Sequence, residues 1–190
     1  DPPREKPGAS TVILKTLEAF GLYWDESVLY QSHQSQLYRE VLADLHHNHL
    51  SYYCQCTRAQ IKAVGGIYQG HCKDLAIKDK NSSIRLLNSA ETHQYTDIIQ
   101  GNVKCDQALA AEDFTLFRKD GLFAYQLAVV VDDIYQGISH IIRGCDLLEP
   151  TARQLSFFNI IGAQSPQYGH VPLVVTPQGY KLSKQNKASA

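Results

Sequence analysis

Cys54, Cys56 and Cys72 are the residues of this sequence best placed to do chemistry together. Two cysteines one residue apart can face a single metal across a tight turn. The third returns after the glycine-rich stretch Gly65-Gly66-Ile67-Tyr68-Gln69-Gly70. Zinc takes about four ligands in a tetrahedron. Tyr68 and His71 both stand where a fourth ligand is wanted, and on ligand chemistry alone His71 is the more usual. The competing explanation is three free thiols that are neighbours by chance. A bound zinc here is structural, because thiolate-rich sites are usually closed to substrate.

A second group is Lys181-Leu182-Ser183-Lys184-Gln185, on a loop after a strand and a turn. Two lysines with a small hydroxyl between them can hold a polyphosphate, their ammonium groups meeting charge that develops on pyrophosphate. A solvated surface loop has the same composition. A third group is Arg143-Gly144-Cys145-Asp146, at the end of an expected strand. In parallel α/β sheets ligands bind beyond the carboxyl ends of strands. A guanidinium there suits a carboxylate substrate, and a structural Arg143–Asp146 pair is the plain alternative. Tyr125 offers a phenol to the same cleft, or is a half-buried strand tyrosine. Asp132 and Asp133 form either a raised-pKa pair or, more simply, a strand-end turn. His46, His47 and His49 lie at a helix end, where cation–dipole support explains them. Cys105 and Cys145 read as buried apolar thiols.

These groups need elements to carry them. Ile13, Leu14, Leu17 and Phe20 form an apolar stripe on a first helix, with Gly21 as its stop. A second amphipathic helix is expected over residues 35–47, capped by Ser35, with Leu37, Val41, Leu42 and Leu45 inward. Residues 51–120 change character: cysteine, glycine, asparagine and serine, short strands near 83–87 and 96–103, and no long helix. They read as an inserted module. Residues 123–131, with the run Leu127-Ala128-Val129-Val130-Val131, and residues 138–143 are expected as strands. Glu149-Pro150-Thr151 opens a helix that stops at Gly162. Residues 171–175 are expected as a short strand before the turn Thr176-Pro177-Gln178-Gly179. Apolar strands alternating with helices point to a parallel α/β sheet.

The bulk numbers set limits. A chain of 190 residues, 44% of them hydrophobic, can bury a sizeable core as one domain with an insertion or as two small domains. Its net charge of -1 supplies no global pull toward nucleic acid, so any RNA contact is local. No apolar run reaches the ~18 residues of a membrane span, and no signal peptide is visible, so no membrane association and a cytosolic location are expected. Five cysteines, three of them clustered, argue against a secreted disulfide framework. There is no methionine, and Asp1-Pro2-Pro3-Arg4 has the composition of an interior loop, so a fragment of a longer protein is expected.

Taken in order, residues 121–133, then Arg143-Gly144-Cys145-Asp146-Leu147-Leu148, then Lys181-Leu182-Ser183-Lys184, resemble glutamyl-type class I aminoacyl-tRNA synthetases. The lysine loop is similar to the family's KMSKS-type signature, with Leu182 in the methionine slot. The cysteine spacing together with Gly65-Gly66-Ile67-Tyr68-Gln69-Gly70-His71-Cys72 resembles the glutamyl-queuosine tRNA(Asp) synthetase family. The likeness covers nearly the whole chain. It implies an α/β class I Rossmann-type catalytic domain: residues 1–50 the remainder of the first half, 51–120 a zinc-bearing insertion, and 121–190 the second half. It implies activation of L-glutamate by ATP, with Mg2+, and transfer of the glutamyl group to the queuosine base of tRNA(Asp). It implies glutamate contacts at Tyr125 and Arg143, ATP contacts at Lys181, Ser183 and Lys184, with Lys184 catalytic, and one Zn2+ on Cys54, Cys56, Tyr68 and Cys72. A monomer is expected.

Two features of the family are not found. There is no HIGH-type motif, for which His170-Val171-Pro172 sits too late in the chain to substitute, and no acidic glutamate-binding residue ahead of Asp1. The competing functions are a fragment of a discriminating glutamyl-tRNA synthetase and a non-catalytic, zinc-stabilised RNA-binding module.

Overall fold

The computed structural model describes residues 5–78 and 81–182. The chain divides into two compact units, Asp1–Leu37 and Tyr38–Ala190. In the first, helix α1 spans Ala9–Ala19. It ends as the sequence predicts. Gly21 takes φ +71° and its N–H donates to the Glu18 carbonyl, while the Leu22 N–H reaches back to Leu17. This closes a Schellman stop, and the left-handed position suits glycine. Ile13 and Phe20 of the expected stripe are exposed.

Helix α2 spans Ser35–His47 and buries Tyr38, Leu42 and Leu45. Leu37 and Val41 are half-buried, and the Tyr38 ring fills the centre of the face instead. Ser35, expected as a cap, is the first helical residue, and its hydroxyl donates to Ser32 at 3.4 Å.

The second unit is built on two sheets. Strands β1 (Ser51–Cys54), β2 (Ser83–Leu86) and β5 (Thr115–Phe117) form one, antiparallel in the order β1-β2-β5. Strands β3 (Gln94–Asp97), β4 (Gly101–Lys104), β6 (His140–Gly144) and β7 (Gln167–Val171) form the other, in the order β4-β3-β7-β6. Short helices α3 (Arg58–Ala63) and α4 (Gln107–Ala110) and longer helices α5 (Tyr125–Tyr135) and α6 (Leu148–Ile160) complete the unit. The second sheet is mixed: β3 and β4 form an antiparallel hairpin, whereas β3-β7 and β6-β7 pair parallel. Helix α6 makes the crossover that a parallel β6-β7 pair requires. Residues 51–120 contribute strands to both sheets.

Several sequence expectations change. Residues 123–131 hold a helix, not a strand. Leu127, Ala128, Val130, Val131 and Asp132 of α5 are buried, which is the one-face pattern of a helix; a strand would bury alternate residues. A short apolar run does not separate the two by periodicity, and packing overrides the weak strand preference of valine. Asp132 and Asp133 therefore lie in α5, not in a strand-end turn. The expected strand over 171–175 lies earlier: Tyr168, Gly169 and His170 are the buried stretch of β7, and Val174 and Val175 are exposed. Pro172 has no N–H to give a ladder, so the strand stops before it. Gly169 lets the neighbouring side chain lie close, because a Cβ there would be 2.7 Å from Ile142 Cδ1, which would have to shift. The expected strand over 96–103 is the β3-β4 hairpin. Cys105 and Cys145 are half-exposed, not buried.

Leu127 is 0% exposed. Leu127→Ala should cost about 2–5 kcal/mol through lost burial and a residual cavity. Urea unfolding measures this, and an unchanged midpoint would place Leu127 outside the core.

Candidate functional site

The cysteine cluster forms where β1 ends. Cys54 is the last residue of that strand, and Cys56 follows outside any regular element. Thr57 then caps α3: its hydroxyl accepts from the Gln60 N–H at 3.2 Å and Gln60 Oε1 accepts from the Thr57 N–H at 2.8 Å. This box fixes the direction in which the chain leaves Cys56. Gly65, Gly66 and Gly70 all take positive φ and bring Cys72 back. The three sulfurs lie within 4.8 Å of one another, and Cys56 and Cys72 Sγ are 3.5 Å apart.

Tyr68 belongs to this cluster and His71 does not. Tyr68 is buried, and its hydroxyl accepts from the Cys72 N–H at 2.7 Å. His71 is exposed, and the group of mutually close ligand atoms comprises the three cysteines alone among the histidine, cysteine and acidic residues described. The Arg85 guanidinium stacks 3.6 Å above the Tyr68 ring and donates to the Asp113 carbonyl at 2.7 Å. Burial pushes the Cys54 thiol up, but hydrogen bonds from Arg85, the Cys56 N–H and Tyr68 overcome it and bring Cys54 down to about 7. Burial, then the Cys72 and Cys54 sulfurs, push Cys56 up to about 12. Hydrogen bonding thus favours one thiolate, and burial with the neighbouring sulfurs opposes a second. Three thiolates in this volume fit a divalent cation, which supplies the missing positive charge.

The second constellation lies at the carboxyl ends of β6 and β7. Arg143 and His170 are partners in the parallel register. Arg143 Nε donates to His170 Nε2 at 3.1 Å, and Nη2 donates to Thr151 Oγ1 at 2.6 Å and to Gln154 Oε1 at 2.7 Å. Thr151 and Gln154 are buried on α6, one turn apart. His170 Nδ1 lies 2.6 Å from Asp97 Oδ2, and both side chains are fully buried. The Arg143 guanidinium lies 4.8 Å from the centre of the Tyr168 ring.

Tyr125 opens α5, half-exposed, and with Arg143 and Asp133 it is an electrostatic neighbour of the Tyr168 phenol. The sequence placed Tyr125 on a strand; the first turn of a helix carries it instead. Two buried polar atoms beside Arg143, Tyr168 Oη and Gln154 Nε2, have no hydrogen-bond partner among the described residues. Buried polar groups are normally satisfied, so such orphans mark where a polar ligand would fit. Burial pushes the Tyr168 phenol well up, against the pull of Arg143. Burial likewise raises Asp133 to about 6, with Arg143 lowering it and Asp132 raising it further.

Arg143 and Asp146 do not form the pair offered as an alternative. Asp146 is bound by Lys181 Nζ, whose hydrogen bond holds its carboxyl below the usual range. This contact ties the start of the lysine loop to the turn after β6. Ser183 and Lys184 lie outside the described residues. Asp97, Thr151, Gln154, Arg85 and His170 were missed as site residues. Their types carry no local motif; only the placing of β3 beside β7, of α6 against Arg143, and of β2 beside the strand that carries Cys54 brings them to these sites.

The chain matches the family described as tRNA synthetases class I (E and Q), catalytic domain, over residues 1–190. It is 62% identical to the Glutamyl-Q tRNA(Asp) synthetase of Colwellia psychrerythraea, covering 100% of this chain and 62% of that protein. It is 53% identical to the Glutamyl-Q tRNA(Asp) synthetase of Escherichia coli (strain K12), again covering 100% and 62%. The chain thus spans about 62% of the length of the curated relatives it matches. In fold it is similar to a glutamate tRNA ligase from Elizabethkingia meningosepticum, solved in complex with its amino acid, with TM-score 0.78 and 24% identity over 97% of this chain and 43% of that one.

Freshly purified protein should carry about one zinc per chain. Cys72→Ser should lose it and loosen residues 51–78, whereas His71→Ala should retain it. Metal analysis with hydrogen exchange reads both, and loss of zinc in the His71 variant would move the fourth ligand to that residue. Asp133 binds its proton more tightly in the folded chain than in the unfolded one. Stability should therefore fall as pH rises from the ordinary carboxylate range through about 6. Asp133→Asn should flatten that slope in denaturation midpoints measured across this window. An unchanged slope would assign it to another group.

Proposed function

This chain belongs to the class I tRNA synthetase (E and Q) catalytic-domain family, and from that premise we propose that it activates L-glutamate with ATP and passes the glutamyl group to queuosine in tRNA(Asp). The observation that carries this is Arg143, held at the carboxyl end of β6 beside two unsatisfied buried polar atoms. A fixed guanidinium suits a carboxylate substrate. The queuosine acceptor is favoured by the names of the relatives at 62% and 53% identity. The solved glutamate tRNA ligase supports the fold alone, at 24% identity. Among the described residues no helix is long and apolar enough to cross a membrane.

In this proposal Arg143 and Tyr125 bind glutamate. A glutamate carboxylate oxygen attacks the α-phosphorus of ATP, the bond from that phosphorus to the α,β-bridging oxygen breaks, and pyrophosphate leaves; Mg2+ would supply charge neutralisation to the phosphates. Lys184, with Lys181 and Ser183, meets the charge that grows on the pyrophosphate; a contact stronger in the transition state than in the ground state raises kcat. A queuosine hydroxyl then attacks the acyl carbon of glutamyl-adenylate and AMP departs. Residues 51–120 act as a zinc-bearing insertion between two halves of the catalytic domain, residues 1–50 and 121–190. Cys54, Cys56, Tyr68 and Cys72 would hold the zinc, which supplies folding energy to the loop around it.

The test is glutamate-dependent exchange of pyrophosphate with ATP in the native protein, followed by glutamyl transfer to tRNA(Asp) with and without queuosine. Arg143→Lys should raise the glutamate KM roughly ten- to a hundredfold and leave the ATP KM nearly unchanged, since an ammonium cannot replace the donors that hold this side chain. Equal effects on both substrates would remove Arg143 from the glutamate site. Transfer to unmodified tRNA(Glu) in place of queuosine-bearing tRNA(Asp) would make the protein a glutamyl-tRNA synthetase.

A further inference from the structure

The Asp97–His170–Arg143 chain is directional. Arg143 Nε is a donor only, so His170 Nε2, 3.1 Å away, must accept. Thr151 Oγ1 stands 3.1 Å from the same nitrogen and 2.8 Å from the Leu147 carbonyl, to which it donates. The imidazole proton is thereby assigned to Nδ1, which faces Asp97 Oδ2 at 2.6 Å. The Asp97 carboxylate is itself immobilised. It accepts from the Ile99 N–H at 3.0 Å, the Gln100 N–H at 2.9 Å and the His170 N–H at 3.1 Å.

The consequence falls on Arg143. Its Nε and Nη2 are committed to His170, Thr151 and Gln154, all three fully or almost fully buried. Among the described residues, no partner is recorded for Nη1. An arginine fixed along one edge presents the opposite nitrogen in a single orientation, without the rotamer freedom that a long side chain otherwise loses on binding. We propose that His170, its tautomer set by Asp97, is the positioning residue that fixes Arg143 so that Nη1 alone meets the substrate carboxylate; this rests on the glutamate-binding role proposed above. His170 touches no substrate. Its effect passes entirely through the guanidinium, as a histidine's second partner orients the ring that does the work. A ring protonated at Nε2 would set two N–H groups against each other and release Nε. An asparagine at 97 permits that tautomer, because its amide can donate to Nδ1.

The experiment compares the native protein with His170→Leu, His170→Gln and Asp97→Asn. Glutamate and ATP kinetics are measured in pyrophosphate exchange, and the His170 ring is observed by long-range 1H–15N correlation. His170→Leu should raise the glutamate KM by about tenfold or more, with the ATP KM within about twofold, for the loss of one charge-assisted bond. His170→Gln retains an acceptor near the Nε2 position and should recover most of that loss. Asp97→Asn should fall between them. The wild-type ring should show Nδ1 protonated and Nε2 bare. Thermal melting separates these effects from misfolding, and the glutamine variant keeps the test alive if the leucine variant does not fold. Equal glutamate KM values for folded wild type and His170→Leu would overturn the proposal, as would a wild-type ring protonated at Nε2. Failure of the wild type to show any glutamate dependence would overturn the proposed function instead, and the ring spectrum alone would then decide the Asp97–His170–Arg143 chain.

Discussion

The buried Asp97 carboxylate organises the second sheet. Burial pushes its carboxyl up, but hydrogen bonds from His170 and the backbone overcome that and hold it down at about 2. The ionised group closes the turn of the β3-β4 hairpin through the Ile99 and Gln100 N–H groups. It docks β7 through the His170 backbone and aims the His170 ring. An unpaired buried charge is strongly unfavourable, and the donors that satisfy this one serve three structural tasks. Hairpin, parallel strand and arginine orientation therefore share one anion.

A comparable centre serves the first sheet. Arg85 of β2 is buried, reaches the Asp113 carbonyl, and covers the Tyr68 ring. The Asp113 carboxylate accepts from the Tyr52 hydroxyl at 2.6 Å and from the Asn88 N–H at 2.7 Å. The cysteine cluster hangs on this frame, with Cys54 at the end of β1 and Tyr68 beneath the guanidinium. Positive charge from Arg85 favours the first thiolate, and the crowding of sulfurs disfavours the next. Sulfur-rich metal sites are usually structural and closed to substrate.

The two centres divide the labour. The cysteine cluster lies in a loop of little regular structure, gathered around Cys54, Tyr68 and Cys72 with Tyr52, Cys56, Ile61 and Ile77 packed against them. The arginine centre sits on rigid strands and a helix, and so holds one side chain to a narrow set of positions. Precision at a substrate carboxylate comes from such elements more than from loops. Lys181 joins the loop after β7 to the turn after β6 through Asp146.

Much of this was legible in the sequence. The spacing of Cys54, Cys56 and Cys72 and the glycines between them specified a shared metal-sized volume, because tight turns and positive φ are local properties. The stop at Gly21 and helix α6 were equally local, set by backbone chemistry within a few residues. Arg143 was placed at a strand end by the apolar run before it. The rest depended on tertiary structure. The run from Leu127 to Val131 is apolar in both helix and strand, and only the face that met the core made it helical. That Tyr68 is buried beside the cysteines while His71 is exposed is a matter of packing, which adjacent positions in one loop do not reveal. Asp97 and His170 are 73 residues apart and carry no motif. Their pairing exists only because β3 and β7 lie side by side, and hydrogen bonds between strands follow spatial register, to which sequence distance is no guide.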